Sequence, residues 1–168
     1  MDLTDMNNGD RMVFSHDTYE KISRIVYELR VRLRAEICVF ADVSGYPVEY
    51  NGDNPDFNVS ELTAVAAGSF AASNEMSKII SETPAFEHIF HEGVPFNTYM
   101  CSVGEDYMMI IVFRKNIPVG LVRLLTHQAV DRLSRYLEGL KQENSKVARF
   151  LDDNFQKGLD DELDKALG

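Results

Sequence analysis

The chain has 168 residues, 45% of them hydrophobic and 26% charged, which suits one globular domain with a real core plus a tail. Its 17 Lys+Arg stand against 27 Asp+Glu, and the resulting net charge of -10 opposes binding to nucleic acid phosphates or anionic lipid. No apolar run reaches the roughly 18 residues of a membrane span and the first residues lack a signal peptide's basic and apolar regions, so the expectation is a cytoplasmic protein without membrane insertion.

Residues 1–14 are polar and rich in Asn and Asp, which predicts a flexible N-terminus with structure starting near Ser15. Asp17-Thr18-Tyr19-Glu20 resembles a capping box, and Ile22, Ile25, Val26, Leu29 and Leu33 follow at helical spacing to give a first helix. In residues 36–43, Ile37, Val39, Ala41 and Val43 alternate with Glu36, Cys38, Phe40 and Asp42. Ser44-Gly45 then turns the chain into a second strand over 46–50, which Pro47 places at a sheet edge. A loop over 51–56 leads to Asn58, an N-cap with Glu61 in the acidic third position, and a second helix runs to about Ser81.

This second helix carries two interaction faces where a surface helix usually has one. At helical period Leu62, Val65, Ala66, Ser69, Ser73, Met76 and Ile80 share the side expected to cover a sheet. The opposite side holds Ala64, Ala67, Gly68 and Ala71, with Glu75 and Lys78 at its far end. A solvated face normally carries long charged helix formers, whereas small residues let another backbone come close. The predicted use of Ala64, Ala67, Gly68, Ala71, Glu75 and Lys78 is to dock a partner or second subunit. The plainer alternative is that Ala simply favours helix and Gly68 is tolerated at a cost of roughly 1 kcal/mol.

Three further strands follow, at 86–91, 96–103 and 107–113, divided by Gly93-Val94-Pro95 and Gly104-Glu105-Asp106. Asn116-Ile117-Pro118 opens a third helix with apolar positions Val122, Leu125, Ala129, Leu133, Tyr136, Leu137 and Leu140. The order α-β-β-α-β-β-β-α with short strand connections predicts an α+β (α/β-type) sandwich. Its antiparallel five-stranded sheet carries helix 2 on one face and helices 1 and 3 on the other. The domain spans 15–142.

Residues 143–168 hold seven acids against four bases, yet Leu151, Phe155, Leu159, Leu163 and Leu167 recur every fourth residue. Two expectations stay open for this acidic amphipathic tail. It is either a frayed solubilising appendage or a helix that folds onto a partner through those five residues, its acids steering toward a basic surface.

Several stretches together resemble the Roadblock/dynein light chain superfamily and, within it, the bacterial MglB-type regulators of Ras-like polarity GTPases. They are Asp42-Val43-Ser44-Gly45, the run from Leu62 to Ala72, Phe90-His91-Glu92-Gly93, Tyr99-Met100 and Gly120-Leu121-Val122-Arg123-Leu124, covering roughly residues 16–142. The resemblance implies a Roadblock-like homodimer in which two sheets join through the third strand, with Phe86, His88, Ile89 and Phe90 at the interface and the two second helices side by side. It implies that the paired helices dock one MglA-type small GTPase and accelerate its GTP hydrolysis, that the regulator repositions the GTPase's own catalytic groups, and that the acidic tail contacts the GTPase. One departure from the pattern is Asn74-Glu75, where MglB-type chains tend to keep small residues. A Glu in a close-packed interface has to be paired or solvated at the rim, and Lys78 stands three residues on.

Self-contained catalysis finds little support. His88 and His91 with Glu92 suggest a metal cluster on paper, but strand positions three apart face opposite sides, so no metal and no cofactor is expected. His16 and His127 are read as solvent-facing or cap-region side chains. Cys38 and Cys101 lie outside any CxxC or Cys/His cluster and read as core thiols of a reducing compartment. Arg114 and Lys115 form a basic tip that invites comparison with an arginine finger, against the plainer role of polar loop residues. The expected function is a GTPase regulator in cell polarity or motility, with no catalytic residues of its own. Competing possibilities are a Roadblock scaffold, with a second Roadblock chain replacing one subunit as an option, and a small-ligand sensor of related architecture.

Overall fold

The structure, a computed structural model, describes residues 14–54, 56–81 and 86–167, apart from the side chains of residues 148 and 151–167. The expectation for residues 1–13 lies outside the described residues. Phe14, which the sequence places in the flexible segment, is half-buried, and its ring lies 5.9 Å from that of Tyr107.

The elements are α1 (His16–Leu33), β1 (Ile37–Asp42), β2 (Pro47–Gly52), α2 (Val59–Ile80), β3 (His88–His91), β4 (Phe96–Val103), β5 (Tyr107–Arg114) and α3 (Val119–Leu167). Ser15, rather than Asp17, caps α1. Its Oγ accepts from the Thr18 backbone N–H at 3.3 Å, because the chain is already helical at His16. Asn58 caps α2 as expected, accepting from the Glu61 N–H at 3.2 Å.

The five strands form one antiparallel sheet in the order β2-β1-β5-β4-β3, so β2 and β3 are its edges. Alternation along β1 sends Cys38 and Phe40 to the face covered by α1 and α3, where they join Leu29, Tyr99, Phe113, Val122 and Leu133. Ile37, Val39 and Ala41 go to the α2 face with Ala66, Met108, Ile110 and Val112. Withdrawing a large apolar side chain from water stabilises by roughly 1.5–3 kcal/mol, and fully buried Phe40, Phe113 and Leu133 anchor the α1/α3 face on that basis.

The first hairpin turn is pressed against α2. A Cβ at Gly45 would lie 2.9 Å from the Ala64 Cα, and Gly45 has φ +95°, so glycine is required both by the backbone and by the approach. The Asp42 Oδ1 accepts from the N–H groups of Ser44 at 3.0 Å and Tyr46 at 2.9 Å, closing the turn. This contact fixes the rotation of α2 over the sheet.

The third helix departs most from a compact domain. Its buried positions include Val122, Leu125, Ala129, Leu133 and Leu137, with Leu140 partly buried, yet the helix runs on through the expected 142/143 division to Leu167. Val147 and Phe150 on this extension are exposed. The positions of Leu151, Phe155, Leu159, Leu163 and Leu167 fall on helical backbone, and their side chains lie outside the described residues.

Candidate functional site

The outward face of α2 is the surface that asks for a partner. Against the sheet the helix packs Val59, Leu62, Thr63, Ala66, Ala67 and Phe70, with Ser77 buried farther along. Buried Thr63 and Ser77 satisfy their hydroxyls within the helix, donating to the carbonyls of Ser60 at 3.1 Å and Asn74 at 2.8 Å.

The sequence-based orientation of this helix needs two corrections. Val65, Met76 and Ile80, expected to cover the sheet, are exposed, because Thr63 and Ser77 occupy the buried stripe. Ala67, expected on the docking face, is half-buried and packs on the α2-side core. Ala64, Gly68, Ala71, Glu75 and Lys78 do face outward.

The corrected outward face is more apolar than the sequence projection allowed. Beside the small residues it shows Val65 at 73% exposure and Ile79 at 86%, with Met76 and Ile80 also out. A Cβ at Gly68 meets no atom within 4 Å, so the surface there is open. The acid that breaks the small-residue pattern is paired: the Lys78 Nζ donates to the Glu75 Oε1 at 2.6 Å, both side chains remaining exposed. An open cleft of about 660 Å³ runs from this face to the start of the third strand, lined by Ala71, Glu75, Lys78, Phe86 and Ser102 among others.

At the sheet edge, Phe86 and Phe90 are exposed at 37% and 38%, Ile89 packs half-buried on the α2 side, and His88 is half-buried on the α3 side. Among the described residues, β3 pairs only with β4, in the register Ile89 to Met100 and Phe90 to Tyr99. Of the expected site residues, the cleft brings together Ala71, Glu75 and Lys78 of α2 with Phe86 just before β3, while His88, Ile89 and Phe90 lie outside its lining. Ala64, Val65, Gly68, Met76 and Ile79 are exposed on α2 but lie outside the lining of this cleft. The signal for Val65, Met76 and Ile79 was present in the sequence as an apolar surplus all round the helix.

The remaining candidates are occupied elsewhere. Arg114 pairs with Glu36 at 2.6 Å and lies over the Phe96 ring, and Lys115 reaches Glu92 at 3.5 Å. His91 Nδ1 is 3.2 Å from the Thr98 hydroxyl, and His16 sits 3.4 Å from Glu20 on α1. His127, expected to face solvent, is half-buried with its ring edge-on to His88, because α3 lies close beneath the β3 edge. Among the described residues no group of three or more His, Cys, Asp or Glu is placed to hold a metal ion, and no helix is long and apolar enough to cross a membrane. Burial pushes the Cys101 thiol up to about 12 and the Cys38 thiol higher still, which leaves both protonated and poor nucleophiles.

No protein-family model matches the chain. An uncharacterised protein of Aquifex aeolicus (strain VF5) is 22% identical over 144 residues, 85% of this chain and 89% of its own length. Among solved structures, Myxococcus xanthus MglB superposes with a TM-score of 0.71 at 28% identity, covering 77% of this chain and 96% of that one. The gliding protein MglB of Thermus thermophilus gives 0.70 at 23% identity, covering 76% of this chain and 96% of that one. A Roadblock/LC7 domain from Streptomyces avermitilis gives 0.64 at 13% identity, over 69% of this chain and 97% of that one, a likeness of fold alone. The element order and sheet described above, with these superpositions, give the chain a Roadblock-like fold and make it similar to MglB.

Proposed function

We propose that the chain is a homodimeric regulator that docks one MglA-type, Ras-like small GTPase across its paired α2 faces and stimulates GTP hydrolysis, in the control of polarity or motility. The observation that carries this is the outward face of α2. It is small and apolar, exposes Val65, Met76, Ile79 and Ile80, and adjoins a strand edge left unpaired among the described residues. Such an edge with exposed Phe86 and Phe90 is an aggregation hazard unless a second strand covers it. Pairing two copies through β3 would cover it and set their α2 helices side by side, giving one continuous docking surface per dimer. The GTPase would supply the reacting groups and this protein would hold them in place, lowering the barrier by preorganisation.

The chief alternative is a Roadblock scaffold that assembles other subunits without affecting hydrolysis. The Glu75–Lys78 ion pair favours it to this extent, that a charged pair stands where close backbone approach would otherwise be easiest. Sedimentation of mixtures with the cognate GTPase, loaded with a GTP analogue or with GDP, tests the docking. The expected result is one GTPase per two chains with the analogue and weaker binding with GDP. Binding of one GTPase per chain, or equal binding in both nucleotide states, would count against it.

A further inference from the structure

Strand β3 has four residues and is hydrogen-bonded to β4 alone among the described residues, so its hold on the domain depends on its side chains. On the α3 side that hold is shared by His88 and by Phe90, whose ring stacks on Phe113 with centroids 6.4 Å apart. The His88 ring stacks on Tyr99 with centroids 5.5 Å apart and an interplanar angle of 21°, and meets His127 at 6.2 Å and 76°. Three polar atoms here, His88 Nδ1, His127 Nε2 and the Tyr99 hydroxyl, are buried without a hydrogen-bond partner among the described residues, and Tyr99 is only 1% exposed. Such orphans in one cluster call for an explanation.

The groups facing His88 among the described residues are Glu87 just before its strand, Tyr99 and Cys101 on β4, and Arg123 and His127 on α3. Tyr99 and Cys101 are kept neutral by burial, each pushed up to about 12. Arg123 lies one helical turn before His127. A proton added to His88 thus puts a second positive charge within the field of Arg123 and against His127, in a half-buried position. Burial first, then Arg123 and His127, hold His88 below its ordinary 6.5, and Glu87 only partly offsets them.

We propose that this group is an acid-sensitive latch: neutral His88 keeps β3 packed between β4 and α3, and protonation of His88 releases the strand from α3 and frays the sheet edge. The sign follows from linkage. The unfolded or frayed edge binds the proton more readily, so the stabilisation is complete above the ordinary value of 6.5 and is lost as pH falls through the lower folded value. The latch is built within one chain. A weakening of any second strand laid along β3 would follow from it, but that consequence rests on the proposed dimer.

The test is amide hydrogen exchange of the full chain from about pH 7.5 to about pH 5.5, corrected for intrinsic rates, beside an imidazole titration by NMR. Protection of β3 relative to β1 should fall by up to about tenfold for each unit by which His88 is held down. His88→Phe keeps a ring in place and should flatten the pH profile; Arg123→Gln should raise the His88 midpoint and shrink the loss. A wild-type His88 that titrates near its ordinary value, or a β3-to-β1 ratio constant across the range, overturns the latch. An equal loss in His88→Phe also overturns it, and should that variant not fold, the wild type and Arg123→Gln decide.

Discussion

Replacing Gly68 by Arg separates a docking surface from a structural one. Gly68 is exposed on α2 and a Cβ there meets nothing within 4 Å, so the new side chain leaves the chain's own packing alone. In a helix interior Arg is better than Gly by roughly 0.8 kcal/mol, which predicts a melting temperature unchanged or raised by about 2–3 °C. A partner that needs close approach at this position meets instead a long cation, which must clash or be buried unpaired. An uncompensated charge in such a place costs on the order of 3–5 kcal/mol, a loss of roughly a hundredfold or more in affinity. Anisotropy titration of a labelled GTPase, run beside thermal melts and light scattering of the variant, reads all three quantities. Affinity unchanged by Gly68→Arg, or affinity, dimer mass and melting temperature lost in parallel, would refute the reasoning.

Light scattering at micromolar concentration should give a dimer mass, since the β3 edge with exposed Phe86 and Phe90 needs a cover; a monomer would contradict that. Replacing both Arg114 and Lys115 by Ala should lower stimulated hydrolysis by less than about tenfold, because loss of a true arginine finger costs on the order of 10³ or more. Gly45→Ala should lower the melting temperature by several degrees, since the added Cβ sits 2.9 Å from the Ala64 Cα at φ +95°, a strain of about 1–2 kcal/mol before the clash. Deleting residues 147–168 should spare the fold, since the last buried α3 position among the described residues is Leu137, but weaken GTPase affinity and flatten its dependence on salt. Equal affinity and salt slope in the two proteins would leave the tail a solubilising appendage.

Elements whose two faces differ in polarity were legible in the sequence, and those apolar all round were not. The Leu125–Ala129–Leu133–Leu137 stripe of α3 specifies one buried side, and the structure buries those residues, while strand β1 is buried on both faces. Helix α2 offers apolar residues in every direction, so period alone could not choose its rotation. The choice is made by Gly45 under Ala64 and by Thr63 and Ser77, whose hydroxyls turn back into the helix and so tolerate burial. Polar residues at buried positions misdirect a hydrophobic projection, which is why it puts Val65 and Met76 inward and Ala67 outward. The His88–Tyr99–His127 group was hidden for another reason: it joins two strands and a helix, and contacts between distant segments have no local period. Ser15 displaces Asp17 as the α1 cap by only two positions, within the usual fraying of helix ends.

The most direct measurement is single-turnover GTP hydrolysis by the cognate MglA-type GTPase, with and without a saturating amount of this protein, and with Gly68→Arg as the control for docking. Docking and activation on the α2 face predict a clear acceleration by the wild type, tenfold or more by analogy with other activators at about 10³–10⁵, and none by the variant. Tight binding of the wild type with an unchanged hydrolysis rate would contradict activation and leave a scaffold, and acceleration that survives Gly68→Arg would place the contact elsewhere on the molecule.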